Sequence, residues 1–558
     1  MKYILVGIFL FISSLSFSQD RGFYSEGREF LLGYLHNPYI DSLKFGGGGQ
    51  LSINAIVSSN QKAKLQVSYY DASGKETSPT PYTLKDNNSL QIPLTRTNMM
   101  HANYNGDVAE YTACHITSDV PVTVSYMSYG QLAFGSYLAL PIVSWGKKYV
   151  VESYNDHPGY FSVVHQGAGN MEAFYSCGVF TIVGAYNGTK VQITPTALTR
   201  GGHVGVNQGP GNDGTPKPYT IELNKGQCYL VKSASAIHDG TDDISGTMIS
   251  ADKPIGVIAG HQDAAVGDGN SNGFETDGRD FMIEQLVPVE FWDNKGIYTI
   301  PMLESKGNPI EGVGENYRVY VSDVSEPTGV QVFTSATTYD EVYPRTFEKV
   351  VELANRTKPL AFASENEGER FSVTQYELRS QWNAYSYTAP SMTTIVPRSQ
   401  WKNSYTWRGY KSHIRYADAF QSYYVTVIAD ANNYDNIKVA VNGGNPLSIH
   451  NALNPAVRTW SPTTIPGSGN LKAVTYGIDI TYMTSYYAYS DMPFMVYQFG
   501  YSAADGSGDL GGQIESEDYF GTDAHPAGMR VFDKTKVNRL SVNVDTLCNG
   551  WNICVTEG

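Results

Sequence analysis

The feature that most constrains this chain is a phrase it repeats. Ile116-Thr-Ser-Asp119-Val-Pro121-Val-Thr-Val124 returns as Ile249-Ser-Ala-Asp252-Lys-Pro254-Ile-Gly-Val257, and in shorter form as Asp491-Met-Pro493-Phe-Met-Val496. A second phrase follows the first two copies: Pro141-Ile-Val-Ser-Trp145 with Tyr149, then Pro288-Val-Glu-Phe-Trp292 with Tyr298. Its third copy, Pro397-Arg-Ser-Gln-Trp401 with Tyr405, follows a degraded first phrase at Phe371-Ser-Val373. The phrases keep their order at a period of roughly 115–135 residues, the mark of a chain built from copies of one unit. Repeat architectures present extended surfaces for binding.

The unit is made of strands. Charged residues are only 17% of the chain while 41 of its residues are Tyr, a composition that suits strands and turns. In the second repeat, Val179-Phe-Thr-Ile-Val and Lys190-Val-Gln-Ile-Thr flank Asn187-Gly188, a strong hairpin signal. Each Asp-x-Pro is expected in a tight turn between two strands, where a fixed φ and a missing N–H do no harm. Each long repeat then reads as two four-stranded meanders. Four repeats predict an all-β, β-propeller-like ring of about eight blades, within the range of known propellers. Tandem β-sandwich domains are the alternative. The expected boundaries are a signal peptide at 1–18, the β-repeat region at 19–502 and a Gly/Ser/Asp-rich linker at 503–528. Residues 529–558 read as the start of a further β module.

Lys2 followed by an uncharged, largely apolar run to Phe17, with Ser16-Phe17-Ser18 as a small-residue cleavage site, reads as a secretory signal. The mature chain carries no long apolar stretch that would span a membrane. It is therefore expected to be secreted or attached to the cell surface. A net charge of −15 speaks against nucleic acid as a partner. Five cysteines do not make a disulfide scaffold. Cys177 with Cys228 and Cys548 with Cys554 are possible pairs, leaving Cys114 over.

Gly27-Arg-Glu-Phe30 with Asn37, the Asp-x-Pro phrases, Gly260-His261, and Glu284-Gln-Leu-Val-Pro288 with Trp292 together resemble the N-terminal domain of IgGFc-binding proteins. The resemblance runs from about residue 27 to 500 and is most specific between 110 and 300. It implies an extracellular, non-enzymatic binding or adhesion role, with an extracellular glycoprotein or glycan, mucin-like or immunoglobulin-like, as partner. It transfers no ligand residues. The long Cys-rich modules of the animal proteins are missing, and the whole fits a bacterial surface protein.

Asp268-Gly-Asn270-Ser-Asn272-Gly273 matches the opening of a calcium loop, with Asp277 and Asp280 near enough to add oxygens toward the ion's six to eight. The twelfth position is Arg279 rather than Glu, and a hydrophilic insertion between strands explains the same residues. His261 with Gln262 and Asp263 reads as a structural group at a strand end, because no partners lie at ligand spacing. The chain contains no His-Glu-x-x-His or Walker A sequence, and no Gly-x-Ser-x-Gly elbow is assigned, since Gly269-Asn-Ser271-Asn-Gly273 falls inside this hydrophilic insertion. No catalytic residue is assigned. A glycoside-active enzyme needs only two carboxylates and stays as the rival, with a spacer in a surface fibre as a third reading. Trp145, Trp292 and Trp401 recur with the repeat and are expected in its packing. The Tyr-rich runs Ser485-Tyr-Tyr-Ala-Tyr and Trp382-Asn-Ala-Tyr-Ser-Tyr suit either strand packing or an interface.

Overall fold

The computed structural model describes residues 23–556 apart from 38–51, 156–161, 207–214, 235–242, 267–279, 301–314, 323–328, 345–350, 410–421, 454–462, 479–483, 503–520, 532–540 and a few shorter stretches. The signal segment and the calcium-loop residues Asp268, Asn270, Asn272 and Asp277 thus lie outside the described residues.

The all-β expectation holds, and its repeating unit is visible in how one strand is shared. In the first module the strand Cys114–Gly130 is seventeen residues long. Its first half pairs with Gly27–Leu32 and with Ala63–Ser68, which pairs in turn with Thr80–Leu84. Its second half pairs with Ala133–Ala139 and with Ser52–Ser59, which pairs with Asn88–Pro93. The long strand therefore belongs to two sheets, here called outer and inner. The second module repeats this around Met248–Ala264, and the fourth around Ser485–Ser502.

Asp-x-Pro marks the place where the strand leaves one sheet for the other. The ladder slips there in all three modules: Gly27 faces Val122 but Glu29 faces Thr117, with the same break between Gly146 and Lys148 and between Lys402 and Ser404. Extra residues on one strand bend it, as in a β-bulge, and Pro is tolerated where the ladder is interrupted. Asp119 Oδ1 accepts the backbone N–H of Lys64 at 2.7 Å, and Asp252 Oδ1 accepts that of Lys190 at 2.9 Å. Each carboxylate satisfies a donor that the bend leaves without a ladder partner. The expected tight turn between two strands is thus corrected to a bend within one. The expected meander is corrected as well, because the strands of each sheet are not consecutive in the chain. The third module, whose first phrase is degraded, breaks the long strand into Ala361–Ser364 in the outer sheet and Phe371–Tyr376 in the inner one.

The second phrase forms the elbow between modules. Ile142–Ser144, Val289–Phe291 and Arg398–Gln400 are single 3-10 turns. The indole of Trp145, Trp292 or Trp401 donates back to Leu140, Val287 or Val396 O, at 2.9, 3.0 and 3.1 Å. All three rings are buried, so they serve packing as expected. Tyr149 and Tyr405 donate to Ile255 O and Phe494 O, both at 2.6 Å, pinning the first strand to the bend. Gly27 and Gly146 open those strands because a Cβ there would lie 2.2 Å from Pro141 Cβ and 2.4 Å from Pro288 Cβ.

The last inner-sheet strand of each module, Ala133–Ala139, Asp280–Gln285, Met392–Thr394 and Gly521–Pro526, touches its counterparts in a circuit from first module to fourth and back. Phe134 N donates to Asp280 Oδ1 at 2.8 Å, and Ser136 Oγ lies 2.7 Å from His525 Nδ1. Two segments far apart in the chain meet beside the last elbow: Phe23–Tyr24 pairs with Arg530–Val531, and Ser25 N donates to Met529 O at 2.8 Å. Two expectations change here. The supposed linker 503–528 contains the inner strand of the fourth module, hidden in sequence because it is polar. Residues 530 and 531 join the first strand instead of opening a new module, while Ser541–Leu547 and Gly550–Thr556 form a hairpin of their own. Cys114, Cys177 and Cys228 are buried thiols, so the expected Cys177–Cys228 disulfide does not form. The Cys177 thiol donates to Gln262 Oε1 at 3.0 Å instead. Cys548 lies outside the described residues.

Candidate functional site

Strand alternation sorts the run Ser485-Tyr-Tyr-Ala-Tyr into two faces. Tyr486 and Ala488 point into the core, where Tyr486 stacks on Trp407 with centroids 5.3 Å apart. Tyr487 and Tyr489 point the other way and stack on each other at 5.5 Å and 27°. Tyr489 is 37% exposed, an uncommon state for so large a ring in this chain. The rows across the outer sheet of the fourth module follow from the register. Tyr489 faces Ser404 on one side and Lys438 on the other, and Lys438 faces Ser448. Tyr487 sits between Thr406 and Ala440. Directly opposed residues share a face, so the two phenol rings rise among small hydroxyl side chains beside one exposed ammonium group.

The first module supplies the border of this face. Asn60 Nδ2 donates to the Tyr487 hydroxyl in a long 3.5 Å contact, and Ser485 Oγ donates to Asn88 Oδ1 at 3.1 Å. Two aromatic planes, hydroxyls, amides and a cation converge without any buried charge. Such a surface can stack on the apolar face of a sugar ring or a planar side chain and hydrogen-bond its edge. Alternation in the sequence exposes the two tyrosines. Nothing in the sequence points to Asn60 or Asn88, about four hundred positions away.

The other candidates fall elsewhere. His261 is buried in the long strand of the second module, opposite Gly178 and Met282. Its neighbour Gln262 donates to His36 O at 3.1 Å, tying the second module to the first. Among the described residues no group of three or more His, Cys, Asp or Glu is placed to hold a metal ion. Asp280, the one calcium-loop candidate described, is fully buried and accepts the N–H groups of Phe134 and Phe281 at 2.8 and 2.7 Å. The run from Trp382 forms the hairpin Ser380–Trp382 with Ser386–Thr388.

Two buried carboxylates interact in the third module. Glu315 and Glu377 lie at the end of the third module's inner sheet, both under a tenth exposed. Burial, then the charge of Glu377, pushes the Glu315 carboxyl well above the usual range. Ser391 Oγ donates to Glu377 Oε2 at 2.8 Å. A network of different character joins the second and third modules. Arg318 donates from Nη1 to Asp243 Oδ2 at 2.8 Å, Ser153 O at 3.1 Å and Ser245 Oγ at 3.1 Å, and from Nη2 to Asn155 Oδ1 at 2.6 Å. Its guanidinium lies 4.1 Å from the Tyr154 ring centre. Burial works against the Asp243 charge, but Arg318 and the two Ser245 donors together outweigh it and hold that carboxyl below its ordinary range.

No curated protein matches the chain. Among solved structures, a trypsin-activated alpha-2-macroglobulin from Escherichia coli aligns at 10% identity and a TM-score of 0.11, over 90% of this chain and 41% of that one. A likeness that slight carries no argument about the fold. The family described as IgGFc binding protein matches residues 135–500, from the inner strand of the first module to the end of the long strand of the fourth. This chain belongs to the IgGFc-binding protein family.

Proposed function

We propose that this extracellular binding protein recognises a glycoprotein or glycan through the tyrosine face of its fourth module. The observation that carries this reading is the stacked pair Tyr487–Tyr489, held outward on a rigid sheet and bordered by Ser404, Lys438 and Asn60. Tyrosine presents a large contact area at small entropic cost, and a sheet spaces two such rings for neighbouring units of one ligand. The reading is non-enzymatic, with the chain secreted and associated with a cell surface. A calcium ion held by Asp268, Asn270 and Asn272, with Asp277 beside them, orders the insertion that precedes Asp280.

The test is binding of the purified chain to arrayed mucins, immunoglobulin and defined glycans. Tyr487→Ala with Tyr489→Ala should lower affinity by at least tenfold for a ligand seated there, since buried aromatic anchors contribute about 2 kcal/mol or more. The melting temperature should stay close to that of the unmodified chain. Undiminished binding by the double variant refutes the site. Release of reducing sugar from a bound glycan, lost in Glu315→Gln, would instead support the glycoside-active alternative.

A further inference from the structure

The repeat supplies an internal comparison at the open edges of the four outer sheets. In the first module that edge is Thr80–Leu84, interrupted by Pro81. In the second it is Tyr219–Leu223, entered through Lys217 and Pro218 and overlain by His203, which stacks on Tyr219 at 3.5 Å. The fourth has only the two-residue Leu447–Ser448, which runs straight into a helical turn. Proline, lysine, shortness and cover are the devices by which sheets avoid pairing with other chains. The third module's edge, Tyr339–Val342, is four residues long, carries no proline or lysine within it and is followed by Pro344. Its residues 339, 340 and 341 are exposed, and Tyr339 and Tyr343 are 45% and 54% exposed.

The chemistry of this edge is directional. Thr334 N donates to Thr338 O at 3.1 Å across the hairpin turn. Hydrogen-bonded and non-hydrogen-bonded pairs alternate along an antiparallel ladder, so the N–H and C=O groups of Tyr339 and Glu341 face away from the sheet. The side chains of Tyr339, Glu341 and Tyr343 share the solvent face, with Phe333 packed 5.4 Å from Tyr339. Tyr343 donates its hydroxyl to Glu341 Oε2 at 2.8 Å, which holds the carboxylate between the two rings.

We propose that this edge receives an extended segment of a partner protein by strand addition, with an arginine of that segment opposite Glu341. Backbone pairing to Tyr339 and Glu341 supplies the affinity, as in other strand-addition complexes. The guanidinium meets the carboxylate and lies against the two phenol faces, which attract cations. The acids Asp340 and Glu341 select a basic strand. They disfavour a second copy of this chain, whose symmetric pairing sets the same acids against each other. The site is separate from the tyrosine face and stands or falls independently of it.

The experiment uses the full chain and a labelled ten-residue Thr/Val peptide carrying one central Arg, beside the same peptide with Glu, read by fluorescence anisotropy. The unmodified chain should bind the Arg peptide at least tenfold more tightly than the Glu peptide. Glu341→Arg should reverse that order, and Tyr339→Pro, which removes an outward N–H, should weaken both. Circular dichroism and melting should match across variants, since the altered residues are exposed. Equal binding of the two peptides, an unreversed preference in Glu341→Arg, or no binding of either peptide overturns the proposal.

Discussion

Replacing Arg318 with Met should loosen the second module from the third more than any comparable change on the surface. The guanidinium is nearly buried, with 5% of its side chain accessible, and it serves four acceptors drawn from residues 153, 155, 243 and 245. Met keeps most of the apolar stem but supplies no donor. Asp243 then keeps a charge without its partner, and Ser153 O loses a donor although the Tyr376 hydroxyl still reaches it at 2.8 Å. Breaking a buried pair from one side costs about 3–5 kcal/mol. If the two modules melt together, that is a fall of roughly 6–20 °C on the scale of a 150–250-residue unit. Asp243→Asn alone should cost less, and the double variant should recover part of the loss. A cycle of the four proteins followed by urea denaturation should give a coupling of about 1 kcal/mol or more, within the range for residues in contact. Additive effects, with coupling under about 0.3 kcal/mol, would refute the argument that these groups act as one unit. The pH dependence supplies a second check. Asp243 is depressed in the folded chain, so its contribution is present above the ordinary Asp value of 3.8 and is lost as pH falls through the folded value. Arg318→Met should lose that acid-side slope.

His115 lies between Glu76 Oε1 at 2.7 Å and Glu29 Oε1 at 3.0 Å, and Lys225 of the second module reaches Glu29 at 2.8 Å. Against the opposing effect of burial, these partners hold both glutamates low; acidification below about 4.5 should therefore weaken this junction, and His115→Gln should blunt the effect in a pH series of melts. Glu152 is the opposite case: burial raises its carboxyl although Thr374 and Thr394 donate to it, so its contribution to stability falls as pH rises. Glu152→Gln should flatten that decline, measured as the difference in melting temperature between pH 5 and pH 8. Gly146→Ala drives a Cβ to 2.4 Å from Pro288 Cβ and should cost about 1–3 kcal/mol, whereas Gly202→Val, with nothing within 4 Å, should show only the backbone strain of its φ of +85°. Calcium should raise the melting temperature in a concentration-dependent way, and Asp268→Ala should abolish the gain. An equal shift in both proteins removes that site.

Much of this protein was legible in its sequence because the unit recurs. Three copies of Asp-x-Pro and three of the Pro-to-Trp elbow marked the recurring unit, and the described residues form four such modules. The same recurrence assigned Trp145, Trp292 and Trp401 to packing, where they are found. The Tyr-rich run Ser485-Tyr-Tyr-Ala-Tyr was open to strand packing or an interface, and the structure divides it between the two. Local chemistry sufficed for these, since each depends on residues a few positions apart.

What the sequence left undecided depends on contacts between distant segments. A run of strand signals is the same for a meander and for two sheets sharing one long strand; only the pairing of Cys114–Gly130 with four different partners separates them. The inner strand Gly521–Pro526 has no apolar alternation, because His525 is buried against Ser136 and Gln498 rather than against hydrocarbon. Cys177 and Cys228 lie in one repeat, yet Cys177 spends its thiol on Gln262, and no spacing rule reveals that. The meeting of Tyr24 with Arg530, and of Asn60 with Tyr487, joins positions separated by most of the chain. Sequence carries the period and the chemistry of each unit, whereas the partners across modules are settled only when loop entropy has been overcome and the sheets are in register.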